Sequence, residues 1–284
     1  MPWNVRPLVL VCFALICKAQ VSEPFFFIQG SDPQSGFCEA RQRLGNGFAQ
    51  DTANLEFVIA TVNRLRPAFL IITGDLVNRH EDNAQTAEYF RVTGKLDPSI
   101  RLYNIPGNHD VLNEPTQASL AAYRKTFGPD YYTFRVGGMA AFVLDSAIIA
   151  GPKNVPDELA RQEAWLREEL AKARRDGVRD LVVFQHHLMF IDSPEEKDTY
   201  YAIPLERRQK YLDLFTEYGV SHVFSGHYHR NATASYGPLK LETTTAITCA
   251  ETQSGIRVVT VKNTGIESQP YDFGVLPTRI DLSK

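Results

Sequence analysis

Residues 102–110 read LYNIPGNHD, a short apolar run that ends abruptly in a cluster of polar residues. Such a run, closed by Pro and Gly, is typical of a buried strand that enters a tight loop. The same pattern recurs at four other places along the chain. These places are 25–28 before Asp32, 68–73 before Asp75, 181–184 before His186 and 220–224 before 226–229.

Helical patterns lie between these runs. We predict helices over 54–66, 81–96, 116–127, from Asp157 onward and over 204–218, with a β-hairpin over 131–144. This alternation indicates an α/β protein whose central sheets are covered by helices. Because ligands of such folds bind beyond the carboxyl ends of strands, the five polar clusters are expected to converge on one site. The residues after Val261 are expected to cross the surface as an extended tail.

The composition limits the class of protein. The chain has 284 residues, is 44% hydrophobic and 22% charged, and carries a formal charge of −3. These values are ordinary for a globular protein and argue against a disordered chain, a collagen-like repeat or a polytopic membrane protein. The sequence has no long basic run, so the charge pattern of a nucleic-acid-binding protein is missing. Four cysteines are too few for a disulfide scaffold.

The N-terminal residues 1–19 have the pattern of a secretory signal peptide. Arg6 precedes an unbroken apolar run from Leu8 to Cys17, and small residues at Cys17 and Ala19 suit a cleavage site. The run is about half as long as a membrane span requires. We therefore predict a secreted or periplasmic protein with its domain at 20–284 and no membrane span; an uncleaved anchor is the alternative. Export makes a disulfide between Cys38 and Cys249 chemically possible, and the sequence leaves that bond open.

Histidines are concentrated in the polar clusters. Five of the seven lie there, namely His109, His186, His187, His227 and His229, alongside Asp32, Asp75 and Asn108. A set of carboxylate, amide and imidazole groups without cysteine suits Zn, Mn or Fe. The ligands are too many for one tetrahedral ion, and two neighbouring ions are a common arrangement for phosphoryl chemistry.

The order of the clusters resembles the calcineurin-like metallophosphoesterase family. The matching strings are Asp32-Pro33-Gln34, Gly74-Asp75, Gly107-Asn108-His109-Asp110, His186 and Gly226-His227-Tyr228-His229. The strings at 31–34, 184–186 and 226–231 are similar to one subgroup, the calcineurin-like phosphoesterase domain-containing Ser/Thr phosphatases. The resemblance covers about 25–261 and implies a single-domain, four-layer α/β/β/α sandwich of two mixed sheets.

The resemblance also implies a role for each residue. Asp32 and His229 would hold a first metal ion, and Asp75 would bridge both ions. Asn108, His186 and His227 would hold the second. His109 would contact the phosphate and protonate the leaving oxygen, and Asp110 would orient the His109 ring. The two ions, divalent or trivalent Mn, Fe or Zn, would hold the water that attacks phosphorus in line.

Gln34 departs from the family pattern, which has histidine at that position. An amide oxygen is a weaker ligand than imidazole, so we expect a weaker first site or one that selects Mn or Mg over Zn; Gln34 binding only through water is the alternative.

The sequence also suggests residues that contact the substrate. Arg230 is predicted to bind phosphate oxygens, and His187 is predicted to contact the substrate or to support the metal ligands. Tyr200 and Tyr201 could form a substrate wall, or pack in the core or a turn.

The sequence thus predicts a metal-dependent phosphoric ester hydrolase that acts on phosphate monoesters, with a small phosphorylated molecule or a phosphoprotein as substrate. A phosphodiesterase, including one for cyclic nucleotides, would use the same ligands. A non-catalytic binding module on this fold is the third possibility, although clustered carboxylates and imidazoles are costly to keep without a metal. The export signal argues against a substrate in a cytosolic kinase pathway.

Overall fold

A computed structural model describes residues 23–42, 47–250 and 252–283. The predicted signal peptide lies outside these residues, so its cleavage stays a prediction. Across the described ranges, no helix combines the length and the apolar composition needed to cross a bilayer.

The described residues form eleven strands and eight α-helices. The strands are β1 (Phe25–Gly30), β2 (Phe69–Thr73), β3 (Arg101–Ile105), β4 (Tyr132–Val136), β5 (Met139–Val143), β6 (Asp180–Phe184), β7 (His222–Ser225), β8 (Ala232–Tyr236), β9 (Leu239–Thr243), β10 (Gly255–Lys262) and β11 (Gly265–Asp272). The helices are α1 (Phe37–Gln42), α2 (Ala49–Leu65), α3 (Asn83–Thr93), α4 (Asn108–Val111), α5 (Gln117–Phe127), α6 (Ser146–Ala150), α7 (Pro156–Arg175) and α8 (Leu205–Glu217).

The strands form two mixed sheets. The first has the order β11-β10-β1-β2-β3, in which β1, β2 and β3 run parallel. The second has the order β4-β5-β6-β7-β9-β8, in which β5, β6, β7 and β9 run parallel. Antiparallel strands complete one side of the first sheet, where β10 and β11 follow β1, and both edges of the second sheet, at β4 and β8. The parallel strands of each sheet therefore bring their carboxyl ends to one edge.

The sheets pack face to face through an aromatic core. Phe27 of β1 stacks on Phe69 of β2 with ring centroids 4.6 Å apart, and it contacts Phe184 and Phe224 of the second sheet at 5.6 and 5.7 Å. Strands β2 and β6 are buried along their whole length, which explains their continuous apolar sequences. Helices α2, α3 and α5 cover the outer face of the first sheet, and α7 and α8 cover that of the second. The predicted four-layer sandwich is confirmed.

The segment after Val261 differs from the prediction of an extended tail. Residues 265–272 form β11, which pairs antiparallel with β10 along its whole length, from Gly255 opposite Asp272 to Lys262 opposite Gly265. The sequence GIESQPYD gives no clear strand signal because it is mostly polar and contains Pro270. Both features are tolerated since β11 is an edge strand with one solvent-facing side.

Candidate metal centre

The five polar clusters meet at the carboxyl edge of the two sheets, as predicted. The first sheet brings Asp32 from the end of β1, Asp75 from the end of β2, and Asn108 and His109 from α4 after β3. The second sheet brings His186 after β6, and His227 and His229 after β7. The site therefore lies across the seam between the sheets.

The His186 ring is the geometric centre of the cluster. Its Nε2 lies 3.1 Å from Asn108 Oδ1, 3.4 Å from Asp75 Oδ1 and 3.9 Å from Asp32 Oδ1. Asp75, His186 and His227 each offer one ligand atom, and these three atoms lie within 4.8 Å of one another. On the other side, His229 Nε2 lies 3.2 Å from Asp32 Oδ1.

The backbone of the site is strained in a consistent way. Positive φ angles between 41° and 65° occur at five of its non-glycine residues, which are Asp32, Gln34, Asp75, His227 and His229. This left-handed region costs on the order of 1 kcal/mol or more for such residues and is often found at functional sites. This backbone conformation lets the chain turn sharply in the loops that follow the strands, while the side chains at these positions point toward the seam. At Gly74, a Cβ atom would collide with the His186 ring, which explains the glycine before Asp75.

Main-chain groups fix which imidazole nitrogens face the cluster. The Nδ1–H of His186 donates to the Thr73 carbonyl at 2.7 Å, so Nε2 is free for the carboxylates. The Nε2 of His227 lies 3.0 Å from the Tyr200 carbonyl, which leaves Nδ1 as the possible ligand atom. Such contacts fix the tautomer and the ring orientation of a metal-binding histidine.

The charges of the cluster balance one another. Burial raises the pKa of Asp32, but the His186 and His229 rings outweigh it and hold the pKa below its usual value. Asp75 behaves in the same way, and the His186 ring is the largest opposing influence on its pKa. Burial lowers the pKa of His186, yet the Asp75 and Asp32 carboxylates raise it to about 10. A cation bound at this cluster would neutralise the same carboxylates that raise the pKa of His186.

These residues fit the two metal ions that the resemblance implies. The donors are oxygen and imidazole nitrogen, as hard or borderline cations require. Gln34 supports the same conclusion: its Oε1 is buried and has no hydrogen-bond partner among the described residues, while its Nε2 lies 3.5 Å from Asp75 Oδ2. A cation would satisfy that orphaned oxygen. The metal identity and the assignment of each ligand to one ion stay predictions.

His109 lies at the cleft, but Asp110 does not orient its ring. The His109 Nδ1 contacts the carbonyl of Asn78 at 2.8 Å. The buried Asp110 carboxylate instead accepts hydrogen bonds from the backbone N–H groups of Gly107 at 2.8 Å and Leu76 at 3.0 Å. The prediction for Asp110 was wrong because adjacent residues of a helical turn point in different directions. Asp110 joins the loops after β2 and β3, and so positions the backbone of the site.

His187 is buried rather than open to a substrate. It is 4% exposed, its ring centroid lies 4.6 Å behind that of His227, and its Nδ1 contacts the Ser146 hydroxyl at 2.9 Å. Burial lowers its pKa well below the usual value, which keeps the ring neutral. The ring is therefore closed off from a substrate in the cleft, and the alternative that His187 supports the metal ligands stays a prediction.

Aromatic rings form much of the cleft wall. Phe37 packs against His229 and Tyr200 packs against His227, with ring centroids 5.2 and 4.7 Å apart. Tyr201 and Tyr228 continue the wall, with ring centroids 5.0 Å apart. The sequence pointed to Tyr200 and Tyr201, but it missed Phe37 and Tyr228, whose only signal was their closeness to Gln34 and to the two final histidines.

Two arginines lie near the metal cluster. Arg230 is exposed, and its guanidinium lies 5.6 Å above the Tyr228 ring, so its predicted phosphate contact stays a prediction. Arg41 of α1 lines the cleft, and sequence reasoning missed it.

A disulfide lies beside the first cluster. Cys38 in α1 is bonded to Cys249, with Cα atoms 5.5 Å apart and 211 residues of separation. The neighbouring Thr248 N–H donates to the Asp32 carbonyl at 2.9 Å. The bridge therefore joins the helix that carries Phe37 to the loop that supports Asp32.

Comparisons with known proteins agree with this geometry. The family model described as calcineurin-like phosphoesterase matches residues 31–231. Two relatives are named serine/threonine-protein phosphatase CPPED1. The one from Bos taurus is 36% identical over 266 residues, covering 89% of this chain and 85% of the relative, and the one from Homo sapiens is 34% identical over 287 residues, covering 96% and 91%. A solved dimetal phosphatase from Danio rerio has a TM-score of 0.61 at 13% identity and covers 88% of this chain and 99% of its own, which shows a shared fold.

Proposed function

This chain belongs to the calcineurin-like phosphoesterase family and is a phosphoric ester hydrolase, and we propose that it removes phosphate from phosphoserine and phosphothreonine in proteins. The observation that carries the proposal is the convergence of one ligand atom each from Asp75, His186 and His227 within 4.8 Å, beside an open cleft that Asp75 and His227 line. The names and coverage of the Bos taurus and Homo sapiens relatives support the choice of a monoester.

We propose that the residues of the two sheets divide between two ions. Asp32, Gln34 and His229 would hold one ion, and Asn108, His186 and His227 would hold the other. Asp75 lies between the groups and would contact both. When bound, the ions would supply the Lewis acidity that binds the phosphoryl oxygens and acidifies the attacking water.

His109 is proposed as the general acid. Its Nδ1–H donates to the Asn78 carbonyl at 2.8 Å, which holds the ring still and leaves Nε2 for the cleft that His109 lines. From there, Nε2–H can give its proton to the oxygen of the leaving serine or threonine. The His109 backbone N–H also donates to Asp75 Oδ1 at 2.9 Å. This bond fixes the position of the His109 backbone relative to the Asp75 carboxylate. Arg230, which is exposed and lies against the cleft-lining Tyr228, is proposed to bind charged oxygens of the substrate.

We also propose that the chain is exported. The pattern of residues 1–19 supports this, and so does the Cys38–Cys249 disulfide, because such bonds persist in oxidising compartments. The expected mature protein begins at Gln20. Finding the intact N-terminus on cell-associated material would argue for retention.

The activity is tested with the metal-stripped chain reloaded with Mn, Fe or Zn. Phosphoserine and phosphothreonine peptides are compared with p-nitrophenyl phosphate and its bis ester. Asp75→Asn should lower kcat/KM at least about 10³-fold, because it removes the charge shared by both ions. Asp157→Asn, an exposed aspartate of α7, serves as the matched control and should leave activity unchanged. Full activity in Asp75→Asn would overturn the proposal, and a preference for the bis ester would replace it with a phosphodiesterase.

A further inference from the structure

Tyr200 makes two contacts to metal-ligand candidates although its side chain stands in the open cleft. It is 56% exposed. Its phenol oxygen accepts a hydrogen bond from Asn108 Nδ2 at 2.9 Å, and its main-chain carbonyl contacts His227 Nε2 at 3.0 Å. One residue thus contacts a candidate ligand from the first sheet and another from the second.

The loop that carries Tyr200 is held firmly. It leaves β6 and returns before α8, and a short parallel bridge closes its neck. In that bridge the Leu188 N–H donates to the Tyr201 carbonyl at 3.1 Å, and the Ile203 N–H donates to the Leu188 carbonyl at 2.8 Å. These bonds fix the chain directly after Tyr200.

A buried arginine holds the rest of the loop. Arg208 of α8 is fully buried, and its guanidinium donates to the carbonyls of Ile203, Pro194 and Glu196 at 3.1, 2.8 and 2.9 Å. The Glu196 carboxylate in turn accepts the backbone N–H of Ile191 at 2.8 Å. The loop is therefore hydrogen-bonded before Tyr200, at residues 194–196, and directly after it, at residues 201–203, which limits the positions that Tyr200 can take.

We propose that Tyr200 is a positioning residue for the second metal ion, the one assigned above to Asn108, His186 and His227. An amide group turns easily about its last torsion, and a partner on Nδ2 holds Asn108 with Oδ1 toward His186. The Tyr200 carbonyl selects the His227 tautomer that offers Nδ1. The inference rests on the proposed dimetal function, but it concerns ion binding and is measurable without turnover.

The test separates the phenol from the rest of the residue. Tyr200→Phe keeps the ring on His227 and the main-chain carbonyl, and it removes only the contact to Asn108. Metal binding is measured by calorimetric titration of stripped protein with Mn. Loss of such an outer contact typically weakens metal affinity about 10- to 100-fold, so the Mn site assigned to Asn108, His186 and His227, which is expected to be the tighter of the two, should show a Kd about 10-fold higher. Tyr201→Phe, which alters the neighbouring tyrosine of the same wall, should leave the Mn dissociation constants at their wild-type values.

Two further readouts distinguish positioning from general structure. In the Asn108→Ala background, Tyr200→Phe should cause no additional change in Kd, because the hydrogen-bond partner is already gone. In the active enzyme, kcat should fall at limiting Mn and recover at saturating Mn, with KM unchanged.

A Kd in Tyr200→Phe within twofold of the wild type, additive losses in the double variant, or fewer than two Mn ions bound to the wild type would each overturn the inference. Two bound ions without hydrolysis would instead sink the proposed function and leave the positioning role standing.

Discussion

Reduction of the Cys38–Cys249 disulfide should cost much stability and little activity. The bond closes 211 residues, and the chain-entropy model gives about 5 kcal/mol for a loop of that length. Activity should survive because a second tie remains: the buried Asp51 carboxylate accepts the Gly36 N–H at 2.8 Å and the Cys38 N–H at 3.3 Å, and it also binds the Thr248 hydroxyl. The α1 helix and the loop supporting Asp32 therefore stay together in the folded state.

The assay is urea unfolding followed by far-UV circular dichroism, with and without reductant, beside phosphatase activity at low urea. The midpoint should fall on reduction, and the dependence on urea should steepen because the reduced unfolded chain exposes more surface. The Cys38→Ala/Cys249→Ala variant should be insensitive to reductant. If oxidised and reduced protein unfold at the same urea concentration, the loop argument is refuted. If activity disappears before the protein unfolds, the Asp51 tie is not sufficient.

Three other predictions concern single histidines and Gln34. His109→Gln should lower kcat for phosphoserine about 10³-fold but affect p-nitrophenyl phosphate far less, since nitrophenolate leaves without a proton; equal losses would contradict a general acid. Gln34→His should lower the metal dissociation constant of the first site, which Gln34 shares with Asp32 and His229, in calorimetric titrations. An unchanged affinity and metal preference would remove Gln34 from the ligand set. Burial lowers the pKa of His222 to about 4. Between about pH 4 and 6.5, His222 therefore binds a proton in the unfolded chain but not in the folded chain. Lowering the pH from 7.5 to 5.5 should therefore cost the wild type about 1.3 kcal/mol of unfolding free energy more than His222→Gln; identical pH profiles would contradict it.

Much of the fold could be predicted because its strands carry strong local signals. Buried parallel strands such as β2 and β6 are continuous apolar runs, and each ends in a polar cluster. The β11 edge strand carries no such signal, since its one buried face gives only a weak alternation that Pro270 interrupts. Its identity depends on pairing with β10, which is a tertiary property.

The sequence predicted which residue types form the site, but it did not predict the directions in which their side chains point. Adjacent motif residues His109 and Asp110 were assigned to each other, although one points to the cleft and the other into the backbone of neighbouring loops. His187 belongs to a histidine pair, and only the packing shows that it lies behind His227. The contacts of Tyr200 join residues 92 and 27 positions away, so no local pattern reports them.

The seam between the sheets also governs when ions can enter. Asp32 and His229 are 197 residues apart, and each sheet contributes only part of the ligand set. An unfolded chain therefore has no assembled site, and loading follows closure of the sandwich. A chain that crosses a membrane unfolded would take its ions from the compartment where it folds, whereas a chain folded beforehand would carry those of the compartment where it was made. The metal content of freshly isolated protein is thus a record of where the two sheets came together.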